Sequence, residues 1–206
     1  MNDYFALLEE PRRPWLEPEA LQAKFLAFSA ARHPDRVPRV SDAETQAANR
    51  TFAELNAAYR CLREPKDRLA HLLALERGQK PGGVERVPAE MMDLFMRVGE
   101  LCRGADAFLA ESAATDSPLL KVQRFKQSLE WADELKQLWQ KLKTRQEQLD
   151  AQLKAMNAAW ESAPPTGQAD RAGRLPLDAL EEVYRTLSYL TRWIAQVHER
   201  IVQLSL

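Results

Sequence analysis

Apolar residues recur at spacings of three and four through most of the chain, the period of a helix with one buried face. A short apolar stretch, Tyr4 to Leu8, predicts a first short helix, which Pro11 and Pro14 stop by forcing an extended connection. Glu17-Pro18-Glu19 opens the next helix near Pro18, because proline suits a first helical turn and carboxylates suit the positive end of the dipole. Leu21, Phe25 and Phe28, with Ala31 behind them, predict one buried face until Pro34 prevents further winding. Ser41 and Asp42 are alternative caps for a second long helix, with Glu44 in its first turn and Ala48, Phe52, Leu55, Tyr59 and Leu62 on one stripe to about Glu64. Pro65 then starts a helix from Lys66 to Arg77, carrying Leu69, Leu72, Leu73 and Leu75. Gly78 and the Pro81-Gly82-Gly83 run end it, and that run is the best domain boundary.

Beyond the boundary, Pro88 opens a helix with Met91, Met92, Leu94, Phe95, Val98 and Leu101, continuing past Gly104 to about Glu111. Thr115-Asp116-Ser117-Pro118 is a cap followed by proline. The pattern then runs without a breaker through Leu129, Leu135, Leu138, Leu142, Leu149, Leu153, Met156 and Trp160, long enough for a helix of about 60 Å or more. The segment 163–174, with Pro164, Pro165, Gly167 and Gly173, reads as a flexible loop. Leu177, Leu180, Tyr184, Leu187, Thr191, Ile194, Val197 and Ile201 describe a final amphipathic helix. Three such helices predict an antiparallel bundle or coiled coil, satisfied within one chain or between copies, so a homo-oligomer stays open. The expectation is an all-α protein: residues 1–78, a linker at 79–87, and a three-helix domain at 88–206.

Composition supports this. Only seven glycines occur in 206 residues, too few for a hairpin-rich fold. Lys and Arg total 29 against 30 Asp and Glu, a formal net charge of −1, which gives no global reason to expect nucleic acid or an anionic membrane as partner. Cys61 and Cys102 stand apart, without a CxxC pair or a nearby histidine at ligand spacing, so neither a disulfide framework nor a metal site is indicated, and no cofactor is expected. No apolar run approaches the about 20 residues that span a bilayer, and Met1-Asn2-Asp3-Tyr4-Phe5 lacks the pattern of an export signal, so the expected location is the cytoplasm.

Candidate chemistry lies in the connection between the two antiparallel helices, Arg32-His33-Pro34-Asp35-Arg36. On its own it could be a mere helix stop. Its neighbours argue otherwise: Asn56-Ala57-Ala58-Tyr59-Arg60-Cys61-Leu62-Arg63-Glu64-Pro65 resembles the N-x-A-Y-x-x-L-x-x-P segment of J domains, and the order of helices around His33-Pro34-Asp35 is similar to theirs. Asp3-Tyr4-Phe5, Lys24-Phe25 and Arg68-Leu69-Ala70-His71-Leu72-Leu73-Ala74-Leu75 further resemble the HscB-type branch, which serves iron–sulfur cluster assembly, over roughly residues 3 to 78.

The resemblance implies a co-chaperone without catalytic residues of its own. His33, Pro34 and Asp35, flanked by the cations Lys24, Arg32 and Arg36, would contact a DnaK- or HscA-type heat-shock chaperone and stimulate its ATPase. The second domain would bind an iron–sulfur scaffold protein, with Met92, Met96 and Glu100 on the contact positions of the helix opened by Pro88. Arg97, where the family tends to have an acid, and Gly99, where it has a long polar residue, depart from the pattern. A J protein for a different client, or a helical self-association protein with a weakened J domain, is the alternative.

Overall fold

The computed structural model describes residues 2–31, 42–83, 86–113 and 118–205, and every regular element among them is helical. The helices are α1 (Tyr4–Leu7), α2 (Pro18–Ala31), α3 (Asp42–Arg63), α4 (Pro65–Arg77), α5 (Met92–Ala113), α6 (Pro118–Glu161), α7 (Arg171–Arg174) and α8 (Leu177–Leu204), with a 3₁₀ turn at Ala89–Met91 before α5. Two compact units form. One joins Met1–Gly82 to Ala151–Tyr184, the other joins Gly83–Asp150 to Arg185–Leu206, so α6 and α8 contribute residues to both.

In the first unit, Asp3 caps α1: its carboxylate accepts the N–H groups of Phe5 (3.0 Å) and Ala6 (3.2 Å), and Arg12 closes on it at 2.7 Å. Phe5 and Leu8 are completely buried. The proline-bearing connection is held by Arg68 of α4, whose guanidinium donates to the carbonyls of Pro14 (2.8 Å) and Leu62 (2.7 Å). α2 packs on α3, which also carries α1 and α4. Leu21 alone of the expected α2 face is fully buried; Phe25 and Phe28 are half-buried, and Phe25 stacks flat on Tyr59 at 4.1 Å. A helix packed mainly on one neighbour buries only a narrow stripe, which leaves Leu26 exposed. α4 ends where Gly78 takes a left-handed φ of +74°.

The expectation of a flexible loop at 163–174 is corrected. Arg171, at the start of α7, sets its guanidinium on both oxygens of Glu76 at 2.9 Å, with side-chain exposures of 8% and 2%. Asn157 of α6 reaches Trp15 in the α1–α2 connection, accepting its backbone N–H at 2.9 Å and donating to its carbonyl at 3.1 Å. The Lys154 ammonium lies 4.6 Å over the Trp15 ring.

In the second unit the buried apolar residues include Met91 of the 3₁₀ turn, Val98, Leu101 and Ala105 of α5, Leu135, Leu138 and Leu142 of α6, and Leu190, Trp193 and Val197 of α8. Gly104, a weak helix former, sits where a β-carbon would lie 2.3 Å from the Trp131 ring, so the close approach of that ring requires glycine. Leu129, placed in the buried stripe by its spacing, is half exposed.

His71 ties the two ends of the first 78 residues together. Its Nε2 accepts the Tyr4 N–H at 3.1 Å, and its ring stacks on Tyr4 at 4.6 Å and on Phe5 at 5.9 Å. Accepting requires the neutral ring. Burial pushes its pKa below the usual histidine value, against a smaller opposing effect of Asp3. The stability it contributes is therefore complete above the unfolded-state pKa of about 6.5, and is lost as pH falls from there through the lower folded-state value. Urea unfolding at about pH 7.5 and about pH 5 should show a larger loss on acidification in the wild type than in His71→Gln. Equal losses would contradict this role.

Candidate partner-binding site

The tripeptide His33-Pro34-Asp35 and its flanking cations Arg32 and Arg36 lie outside the described residues; α2 leads to them at Ala31 and α3 resumes at Asp42. Lys24, the remaining member of that set, donates to the Glu9 carbonyl at 2.9 Å and pairs with the Glu10 carboxylate at 2.7 Å, so its charge is partly neutralised from within. The segment after the tripeptide is framework. Leu55, Ala58 and Leu62 are buried, Tyr59 stacks on Phe25, and the Asn56 amide donates to the Phe52 carbonyl at 2.8 Å.

The second set gathers on α5. Met92 is 44% and Met96 60% exposed, and Glu100 follows one further turn along the same face with its side chain 67% exposed. Met91, their neighbour, is entirely buried and belongs to the core. Phe95, not singled out from the sequence, joins the exposed face at 42% and lies against Trp193 of α8, ring centroids 6.1 Å apart, with Tyr189 behind Trp193 at 5.5 Å. The missed signal was width: Met91, Leu94, Val98 and Leu101 already fill a core stripe, so Met92, Phe95 and Met96 are apolar residues beyond what the core needs. Arg97 pairs with Glu100 and with Glu134 of α6, each at 3.0 Å, and a side chain at Gly99 would press on the Arg103 guanidinium. The result is an adaptable thioether and aromatic surface on an ordered floor, suited to an apolar partner face.

Other chemistry finds little to work with. No group of three or more His, Cys, Asp or Glu side chains that could hold a metal occurs among the described residues. Burial pushes the Cys61 thiol up to about 11, which keeps it protonated at neutral pH. No helix among the described residues is long and apolar enough to cross a membrane.

An all-helical fold that pairs a helical hairpin, flanked by short helices, with a three-helix bundle defines the class. Within it, the fold is that of the HscB co-chaperones. The chaperone HscB from Vibrio cholerae superposes with a TM-score of 0.62 over 96% of each chain at 21% identity, and human co-chaperone HscB with a TM-score of 0.61 over 98% of this chain and 81% of the other at 19% identity. In sequence, the chain is 38% identical over 74 residues to the HscB homologue of Cupriavidus taiwanensis and 31% identical over 98 residues to that of Mannheimia succiniciproducens. These matches cover 36% and 48% of this chain and span only 42% and 57% of those relatives. No protein-family model matches. The chain is HscB-like in fold throughout and in sequence over part of its length.

Proposed function

We propose that this chain is a co-chaperone of iron–sulfur cluster assembly, using residues 1–78 to engage a DnaK- or HscA-type chaperone and residues 88–206 to hold an iron–sulfur scaffold protein. The carrying observation is the exposed Met92, Phe95 and Met96 face on a fold shared with HscB. His33-Pro34-Asp35, in the connection between α2 and α3, supplies the chaperone-facing element. It does no chemistry of its own; the ATPase belongs to the chaperone, and the reducing cytoplasm suits the two free thiols. This division is functional. In packing, 151–184 go with the first segment.

The face is tested by retention of purified scaffold protein on the immobilised chain. Met92→Ala with Met96→Ala should weaken retention about tenfold or more, as loss of central apolar anchors does, while the helical content stays unchanged. The second reading, a different client, is favoured by Arg97, whose ion pairs put a guanidinium beside Glu100 on the contact face. No retention of scaffold by the wild type would select it.

A further inference from the structure

A second apolar surface lies far from the first along the same unit. Val122, Phe125 and Leu129 of α6 are 72%, 68% and 50% exposed, at the i, i+3, i+7 spacing that puts them on one face. They continue into a groove of about 520 Å³, within the range of ligand and peptide clefts, whose walls include Phe108 of α5 and Leu204 of α8 besides Phe125 and Leu129. The Ser112 hydroxyl lining it is buried without a hydrogen-bond partner among the described residues. Along α5, Phe108 is twelve residues from Met96, about 18 Å at the helical rise, so the two surfaces are separate.

Charge distinguishes them as well. The first surface carries Asp93 and Glu100, and its cation Arg97 is paired with Glu100 and Glu134. The groove is lined by two cations, Arg124 and Lys136, and by no acidic side chain among the described residues. Arg124 donates to the Glu111 carbonyl, a neutral acceptor, and Lys136 makes a mostly exposed contact with Asp133 at 3.5 Å, which solvent screens. Over Pro118–Leu129 the sequence adds Lys121 and Lys126 and no acid, in a chain of net charge −1.

The geometry points to this groove as a second docking surface, which takes an acidic amphipathic helix of a partner protein. Two turns of exposed apolar side chains and a cleft beside them fit anchors spaced i, i+3 and i+7 on an incoming helix, and the cations fit its flanking carboxylates. The surface owes nothing to the scaffold reading and survives its failure.

The test uses the full chain and a fluorescein-labelled synthetic helix of about 18 residues, with leucine and phenylalanine at that spacing and glutamate elsewhere, and a second peptide with lysine for glutamate. Anisotropy should show the glutamate peptide bound at least about tenfold more tightly than the lysine peptide, with the preference shrinking between about 50 and about 300 mM salt. Phe125→Ser with Leu129→Ser should raise Kd about tenfold, and the charge reversals Arg124→Glu with Lys136→Glu, at a half-buried and an exposed position of the groove wall, should invert the peptide preference. Met92→Ala with Met96→Ala should leave Kd within about twofold. Equal binding of the two peptides, or no effect of either pair of groove substitutions, overturns the proposal. So does a wild-type dimer in sedimentation that Phe125→Ser with Leu129→Ser makes monomeric, since a second copy then fills the groove. Loss on the same substitutions of binding to phosphatidylglycerol vesicles, without peptide binding, also overturns it.

Discussion

Asp35→Asn is expected to abolish stimulation of a DnaK- or HscA-type ATPase while leaving helicity and thermal midpoint unchanged. The substitution keeps the size of the side chain and one acceptor oxygen and removes only the negative charge. Pro34 is untouched by the substitution, and residue 35 is not among the apolar stripes of α2 and α3. On the proposed function, what would be lost is the pairing of the Asp35 carboxylate with a cation of the chaperone. Truncating one side of such a contact costs about 2 to 5 kcal/mol, a loss of about 30-fold to several thousandfold in the complex. Steady-state ATP hydrolysis by the chaperone, titrated with wild type and variant over the same concentration range, measures it. Full stimulation by Asp35→Asn would reduce the tripeptide to a helix stop, and absence of stimulation by the wild type would remove the co-chaperone reading altogether.

The flanking residues that resemble the HscB branch turn out to be physically linked. Asp3-Tyr4-Phe5 and Arg68 to Leu75 are far apart in sequence, yet His71 accepts the Tyr4 N–H and Arg68 fastens the connection that follows α1. In this chain they form one joint. Helix ends were legible for a local reason: Pro18 and Pro65 fix first turns, and Gly78 accepts a left-handed φ. The methionines of α5 were half legible. Periodicity shows that a face is apolar, but only the packing partners decide which part is core, and the structure divides Met91 from Met92 and Met96. The joints between distant segments were not legible. Asn157 and Trp15 are 142 positions apart, and nothing periodic announces an amide that pairs with one backbone unit. Arg171 was hidden more thoroughly, in a segment whose prolines and glycines describe a loop correctly in composition and wrongly in anchoring.

That anchor carries the second large prediction. Arg171→Leu should lower stability by about 3 to 5 kcal/mol, because it leaves the Glu76 carboxylate, 2% exposed, buried without its cation. For a protein of this size that corresponds to a fall of about 6 to 20 °C in thermal midpoint. The double variant Arg171→Leu with Glu76→Leu should recover most of the loss, since neither charge remains to be desolvated and two apolar side chains replace the pair. Recovery separates a charge penalty from lost packing: a cavity would persist in the double variant, whereas an orphaned carboxylate would not. Urea unfolding of the four combinations closes the cycle, and a single variant within about 1 kcal/mol of wild type would show that the guanidinium only decorates the loop.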